Sequence, residues 1–356
     1  MIDCTNMQEV KEYHLGELFC GPGGIATGAL SVSIPGVKIV HEWANDFDPV
    51  TCETYRRNIC PDKPESVICE DVKKLDYSTL SPINALAFGF PCNDFSIVGK
   101  KKGLDGEYGP LYIWGKKALE VFKPDWFLAE NVGGLSSSGE GKVLPLILNQ
   151  FASCGYRIYP HLYKFEEYGI PQMRHRIIIV GIKNNLPYEY KVPSPNGFKL
   201  ITCKEALENP PIPKDAANNK MPDMHPHVIE RLKYIKPGQN AFSADIPENL
   251  RLHIKGATLS QIYKRLDPDR PSYTVTGSGG GGTHMYHWEE PRALTNREKA
   301  RLQTFPDDFV FCGTSTEVRK QIGMAVPCKG AKIILEALMK SIVGIAYESI
   351  PCNIEV

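Results

Sequence analysis

Leu15-Gly16-Glu17-Leu18-Phe19-Cys20-Gly21-Pro22-Gly23-Gly24-Ile25 is the stretch that decides the fold. Leu15–Cys20 is apolar enough for a buried strand, and Ile25–Ser31 has helical spacing. Between them lie glycines, which permit a tight turn and let the backbone approach a ligand at a strand-to-helix junction. The pattern is shorter than the full G-x-G-x-x-G of dinucleotide binders and suits a ligand with no pyrophosphate to cradle. Taken alone, this turn also suits a nicotinamide or flavin enzyme.

Working outward, strand-like runs recur at Lys38–Trp43, Ser66–Cys69, Ala85–Phe90, Trp126–Ala129 and Arg176–Ile182. Helix-like segments fall at Pro49–Asn58, Leu111–Phe122 and Lys142–Ser153. Such alternation predicts βαβ units and a mostly parallel, doubly wound α/β sheet. From about Leu186 prolines cluster (Pro187, Pro193, Pro195, Pro210, Pro211, Pro213) and the periodicity weakens to about Ser272, as in a loop-rich smaller domain. Gly277-Ser278-Gly279-Gly280-Gly281-Gly282 is either a flexible loop or a backbone lying against something bulky. Leu294–Gln303 reads as a charged helix with a Thr295/Glu298 capping box, and Ala331–Val343 as a core-packing helix. The expected division is a larger α/β domain over 1–185, completed by 320–356. A smaller, loop-rich domain over 186–319 would then include the motif at 292–309.

Composition narrows the class. The 356 residues hold 41 Lys+Arg and 41 Asp+Glu, so bulk positive charge does not hold this chain to a polyanion, although a local basic face remains allowed. No run of roughly 18 apolar residues is present, and Met1–His14 is polar, so the expectation is a cytoplasmic protein with no membrane partner. The 11 cysteines are scattered without a C-x-x-C pair, which favours reduced thiols over a disulfide framework or zinc site, and no metal is expected.

The chemistry-bearing residues sit at predicted strand ends, where open α/β sheets bind ligands. Asp46, in Asn45-Asp46-Phe47, is placed to accept ribose hydroxyls or to cap the next helix, and Phe47 can stack on a base. Asp71, in Glu70-Asp71-Val72, follows the next strand. Cys92, in Pro91-Cys92, follows Ala85–Phe90 and precedes a polar run with glycines and Lys100-Lys101-Lys102, as in a loop that closes over a polyanion. Nearby positive charge favours the thiolate. Glu130 ends an apolar strand, where a carboxylate is costly without a purpose or partner.

Phe19–Gly24, Pro91-Cys92, Glu130-Asn131-Val132, Gln172-Met173-Arg174-His175-Arg176, Arg292–Phe309 and Gly323-Met324-Ala325-Val326-Pro327 occur in that order. The set resembles the ordered motifs of the cytosine-C5 DNA methyltransferases of bacterial or phage restriction-modification type, over most of the chain outside roughly 185–270. The resemblance implies a Rossmann-like S-adenosylmethionine-dependent methyltransferase fold and S-adenosylhomocysteine as product, with 1–185 and 320–356 as the catalytic and cofactor-binding domain and 186–319 as a small target-recognition domain. It assigns Phe19, Gly21, Gly23, Asp46, Phe47, Asp71, Val72 and Leu111 to cofactor binding. Cys92 matches the nucleophile and Glu130 the carboxyl group that engages the cytosine ring. Arg174 and Arg176 match arginines supporting the target base and active site. Two positions depart from the pattern: Asn93 follows the Pro-Cys pair where Gln is more usual, and Met324 stands where Asn is usual. Pro91-Cys92-Asn93-Asp94 is instead similar to animal de novo DNA methyltransferases.

The implied reaction acts on double-stranded DNA: the target cytosine is flipped, Cys92 adds to C6, and a methyl group is transferred to C5. The enzyme would be a nucleoid-associated monomer, with a cognate restriction endonuclease acting separately where one exists. Asn93–Pro110 is the expected closing element. His225, His227, Arg231, Arg251, Lys255, Lys264, Arg265 and the Gly277–Gly282 loop are candidate readers of base edges, although each taken singly reads more readily as solvated surface and none is counted among the site residues. Competing readings are a tRNA cytosine methyltransferase, an oxidoreductase and a non-catalytic relative. The long interval between Arg176 and Arg292 favours DNA over tRNA; the oxidoreductase reading leaves Cys92, Glu130 and the arginines without a joint purpose.

Overall fold

The computed structural model describes residues 10–90, 111–135, 141–252, 260–278 and 281–355. In chain order the first elements are β1 (Lys11–Leu18), α1 (Gly24–Leu30), β2 (Val37–Asp46), α2 (Pro49–Ile59), β3 (Val67–Cys69) and β4 (Ala85–Gly89). Then follow α3 (Tyr112–Phe122), β5 (Trp126–Val132), α4 (Val143–Ala152), β6 (Tyr156–Lys164), β7 (Gln172–Met173), β8 (His175–Lys183) and β9 (Val192–Pro193). The rest are α5 (Cys203–Glu208), α6 (Pro226–Leu232), β10 (Ser272–Tyr273), α7 (Asn296–Leu302), α8 (Ser315–Met324), α9 (Cys328–Val343) and β11 (Ser349–Ile350).

The main sheet has the order β3-β2-β1-β4-β5-β8-β6, parallel from β3 through β5, with β8 antiparallel to β5. This is the Rossmann-like, mostly parallel α/β fold, with strand order reversing beside β1, where such sheets bind ligands. Local chemistry agrees with the elements. Asp48 caps α2 by accepting from Thr51 N, with Pro49 in the first turn. Thr295 and Glu298 complete the expected capping box on α7, and Thr314 with Glu317 forms another on α8. Phe88, Phe127 and Phe151 pack with ring centroids 5.5–5.9 Å apart, and Tyr156 lies 5.2 Å from Phe127. This aromatic core holds β4 and β5 in fixed register, each ring pair contributing about 0.5–1.5 kcal/mol beyond burial.

Strand β6 was not legible as a strand. Tyr156-Arg157-Ile158-Tyr159-Pro160 carries a proline and weak alternation, and both are tolerated because β6 is an edge strand.

The chain divides into two compact units: Met1–Tyr163, His175–Gly197 and Cys328–Val356 in the first, Lys164–Arg174 and Phe198–Pro327 in the second. These boundaries differ from the expected 185/186 and 319/320. The proline-marked segment after Leu186 stays in the first unit because β9 pairs with β11 and Ser194 N donates to Glu348 O. At the other end α8 runs unbroken through residue 320, so the second unit extends to Pro327. The excursion Lys164–Arg174 belongs to the second unit, where β7 pairs with β10.

The second unit has its own core around Leu232, Ile235, Ile262, Tyr263 and Tyr286. Two candidate base readers prove to be buried supports for it. Arg265 donates to the carbonyls of His287, Leu232, Ile235 and Glu290, and Arg231 donates to Leu250 O while stacking on Tyr263. His225 caps α6, Lys264 lies over the Tyr273 ring, and Arg251 pairs with Glu248. Lys255 lies outside the described residues.

Candidate active site

The glycine turn of the first unit is a strained, open cradle. Phe19, Gly21 and Gly23 all have positive φ (53°, 55° and 97°). A Cβ at Gly23 would press on Ile59 and Tyr55, whereas one at Gly21 would meet no atom within 4 Å. Gly21 therefore borders empty space. Its N–H donates to Asp46 Oδ2 (3.0 Å), and Asp48 N–H donates to Asp46 Oδ1 (3.0 Å). Asp46 is thus not the helix cap, which is Asp48. Burial raises the Asp46 carboxyl above its ordinary range, opposed by these backbone N–H donors.

Buried Asn45 ties the ends of β2 and β3 together by donating to Ile68 O and Glu70 O (3.0 and 2.9 Å). Phe47, the residue after Asp46, is 69% exposed, an unusual state for a phenylalanine. Val72, Leu111 and the partly buried Phe19 share one apolar cluster, and Asp71 Oδ1 accepts from Lys73 N. The Gly21 space, a carboxylate with lone pairs left over, and an exposed aromatic ring fit an adenosine group with a vicinal diol. Among the described residues no group of three or more His, Cys, Asp or Glu side chains could hold a metal ion.

At the carboxyl ends of β4 and β5, Glu130 lies in register with Gly89, and a Cβ at residue 89 would come within 3.2 Å of Glu130 Oε2. The glycine leaves the carboxylate its room. Arg176, on β8, brings Nε to 2.9 Å from Glu130 Oε1, a close charge contact rather than an aligned hydrogen bond, and its Nη1 donates to His175 O. Both side chains are nearly buried, at 14% and 12% exposed. Burial pulls the guanidinium pKa below its ordinary value, and the Glu130 charge opposes that shift. Breaking a pair buried to this degree costs roughly 3–5 kcal/mol, because the survivor is left uncompensated. Buried Asn131 donates to Phe90 O (2.9 Å) and fixes the strand end just before Pro91-Cys92. Cys92, Asn93 and the rest of Pro91–Pro110 lie outside the described residues.

Arg174 has a different setting from Arg176. It is 1% exposed in the second unit and donates to Val275 O and Gly323 O, both at 3.0 Å. Gln172, fully buried, donates to Leu302 O and Gln303 Oε1 and accepts from Val275 N. Gln303 in turn donates to Ile322 O and Ala325 O. Sequence reasoning missed Gln172, Gln303, Asn131 and Asn45 as organising residues; their signal was an amide side chain inside an otherwise apolar run. Next to this network is an open cavity of about 470 Å³ bordered by the hydroxyl-bearing Tyr273, Thr274, Thr276, Ser278 and Thr283. Met324 is 53% exposed at the end of α8.

The model of the C-5 cytosine-specific DNA methylases matches residues 13–340. The chain belongs to that family. It is a DNA (cytosine-5-)-methyltransferase. It is 56% identical to the type II methyltransferase M.BbvI of Brevibacillus brevis over 353 residues, covering 95% of this chain and 94% of the relative. It is 38% identical to the type II methyltransferase M.NgoFVII of Neisseria gonorrhoeae, covering 90% of this chain and 85% of that one. Among solved structures, a prophage-encoded Escherichia coli protein described as a DNA modification methyltransferase superposes with TM-score 0.71 at 23% identity, over 93% of this chain and 99% of that chain. A Spodoptera frugiperda DNMT2 variant gives 0.63 at 16% identity, over 92% and 99%. At those identities the two structures speak for the methyltransferase's fold.

Proposed function

We propose that this methyltransferase modifies C5 of a cytosine flipped out of a specific duplex sequence, with Cys92 as a transient covalent nucleophile, and that it protects host DNA from a separately acting restriction endonuclease. The observation carrying this reading is the Glu130–Arg176 pair at the carboxyl edge of the sheet, with Glu130 on the strand next to β4, after which Pro91-Cys92 follow in sequence.

Cytosine C5 is a weak nucleophile. Bonding of the Cys92 thiolate to C6 makes the ring enamine-like and moves electron density to C5. Glu130, carrying or sharing a proton at N3, neutralises the charge that develops on the ring, and Arg176 holds the Glu130 carboxylate in place. S-adenosylmethionine supplies an electrophilic methyl group when bound, and leaves as S-adenosylhomocysteine. Phe19, Gly21, Gly23, Asp46, Phe47, Asp71, Val72 and Leu111 would hold it, Asp46 accepting from the ribose diol and Phe47 stacking on the adenine. Loss of the C5 proton then returns the electron pair that expels Cys92. Flipping the base costs a few kcal/mol, offset by contacts made only to the extruded cytosine. Arg174 has a supporting role: it fixes the backbone at Val275 and Gly323. The second unit selects the sequence, with the hydroxyl-lined cavity beside the glycine run among its contact surfaces. The type II relatives support a restriction-modification role. The enzyme would act in the cytoplasm at the nucleoid, as a monomer. No helix among the described residues is long and apolar enough to cross a membrane.

The test is transfer of tritiated methyl groups to duplex DNA or to tRNA, followed by bisulfite sequencing of the DNA. Label in duplex cytosine at one sequence context, abolished by Cys92→Ser, is the expected result. Label only in tRNA, or undiminished label with Cys92→Ser, overturns the reading.

A further inference from the structure

Helices α7 and α8 face each other within the second unit. Asn296 Nδ2 donates to Ser315 O (2.9 Å), and Gln303 Nε2 donates to Ile322 O (2.6 Å). Residues 296, 299 and 303 share one face of α7 and its C-cap, and 315, 319 and 322 share one face of α8, by the i, i+3/i+4, i+7 spacing of a helix. The two outer bonds therefore set the middle residues, Lys299 and Arg319, against each other. His284 is the third member: burial and the charges of Lys299 and Arg319 pull its imidazole down to about 4.

Among the described residues no anionic side chain pairs with the two cations, Lys299 and Arg319, or with the imidazole of His284, which these surroundings hold neutral. Lys299 is only 5% exposed, and the Arg319 Nε is buried without a hydrogen-bond partner. No side-chain hydrogen bond or ion pair engages Lys299, Arg319 or His284 among the described residues. Glu298, whose charge acts on Lys299, is itself held by two 2.8 Å bonds from Arg292 and by Thr295 N. Burial and Arg319 pull the Lys299 ammonium down to about 8, with Glu298 opposing. Like charges opposed at a half-buried helix interface weaken the free protein, and apolar residues of similar volume would pack there at lower cost. Such an arrangement makes physical sense when an anion completes it.

The surroundings suit an oxyanion on a chain. Residue 277 can only be glycine here: a Cβ would meet Lys320 O at 2.8 Å, and a Cβ at Gly323 would collide with the Gly277 backbone. The start of the glycine run thus lies directly on α8 beside the cations. Thr283, adjacent to His284, belongs with Thr276 and Ser278 to the wall of the hydroxyl-lined cavity.

We propose that Lys299, Arg319 and His284 form a binding site for one phosphodiester group of the DNA strand, with Lys299 at its floor and the half-buried Arg319 and His284 at its mouth. The proposal rests on the reading of duplex DNA as substrate. The contact positions the strand and carries no sequence information.

The experiment measures binding of the full-length protein to a fluorescein-labelled duplex over a fourfold range of salt, for wild type, Lys299→Met, Arg319→Gln and the double variant. Each phosphate neutralised contributes a slope of about 0.9 in log K against log salt. Each single variant should flatten the slope by about that amount, so that wild type loses about 3.5-fold more affinity than the variant across the range. The double variant should flatten it no further, because one phosphate is shared. Lys299→Met should also raise the melting temperature of the free protein, the opposite sign to its effect on binding. Binding with unchanged slopes overturns this inference alone; no duplex binding at all overturns the proposed function with it. A melting-temperature rise in inorganic phosphate, lost in Lys299→Met and accompanied by unchanged DNA slopes, identifies a free-anion site and likewise overturns the proposal.

Discussion

Arg174 and Arg176 stand two residues apart in one motif, yet they do opposite things. Arg176, in the first unit, brings Nε to 2.9 Å from the Glu130 carboxylate, and the pair sits at a strand end with both side chains slightly exposed. Arg174, in the second unit, is locked to two backbone carbonyls inside a buried network with Gln172 and Gln303. The first arrangement leaves charge available for chemistry, while the second consumes it in holding four segments together. Identical side chains in one motif therefore predict presence and order better than they predict role.

The sharpest way to break this comparison is to alter one side at a time. Glu130→Gln keeps the shape but removes the group that manages ring charge, and methyl transfer per folded molecule should fall roughly 10²–10⁴-fold, measured by single-turnover labelling. A rate within a factor of three of wild type would remove Glu130 from the chemistry. Arg174→Met should act on stability instead. Losing two hydrogen bonds from a charged donor, about 1.5–3 kcal/mol each, predicts about 3–6 kcal/mol of destabilisation in urea unfolding. Normal stability with lost activity would reverse the roles given to the two arginines.

Smaller effects sharpen the picture of the cofactor cradle. Gly21→Ala meets no neighbouring atom but must adopt a left-handed backbone, at about 1–2 kcal/mol. Roughly 5- to 30-fold weaker S-adenosylmethionine binding is expected by calorimetry, and unchanged affinity would show that the turn is not used. Beneath the cradle, buried Glu17 accepts from Tyr55 (2.5 Å), which also contacts His41 Nδ1 (3.2 Å). Burial raises the Glu17 carboxyl to about 8 and lowers His41 to about 4. Between its unfolded value near 4.5 and about 8, Glu17 keeps a proton that the unfolded chain has released, so its contribution is lost as pH rises through that window. His41 contributes above about 6.5 and loses its contribution as pH falls towards 4. Glu17→Gln should therefore flatten the decline of the melting temperature between about pH 4.5 and 8. An unaltered decline over that window would contradict a protonated Glu17.

How much of this was legible follows physical lines. Strands β4 and β5 announced themselves by continuous buried apolar runs, and the neighbouring strands and helices α1 to α4 by their regular alternation along the chain. The glycine turn, Asp46 and Glu130 were legible because glycines and a carboxylate at strand ends conflict with bland packing. Edge strand β6 was hidden by Pro160 and its exposed face. Helix α8 was hidden because its polar Ser315-Thr316-Glu317 start resembles a loop until the Thr314/Glu317 capping box is seen. Arg231 and Arg265 looked like surface readers because the sequence does not reveal which carbonyls will lack partners; in the fold they satisfy six contacts of that kind or of the ring face. The unit boundaries were misplaced because prolines mark extended segments as readily as linkers, and β9 is such a segment.

The most direct measurement is peptide mapping, by mass spectrometry, of the adduct formed between the full-length protein and a duplex carrying 5-fluorocytosine at the methylated position, with S-adenosylmethionine present. Fluorine cannot leave as a proton does, so the bond between enzyme and ring persists. The account expects the fluorinated base on the peptide containing Cys92, in high yield for wild type and in strongly reduced yield for Glu130→Gln. An adduct on any other cysteine, or none while methylation of ordinary duplex proceeds, would contradict it.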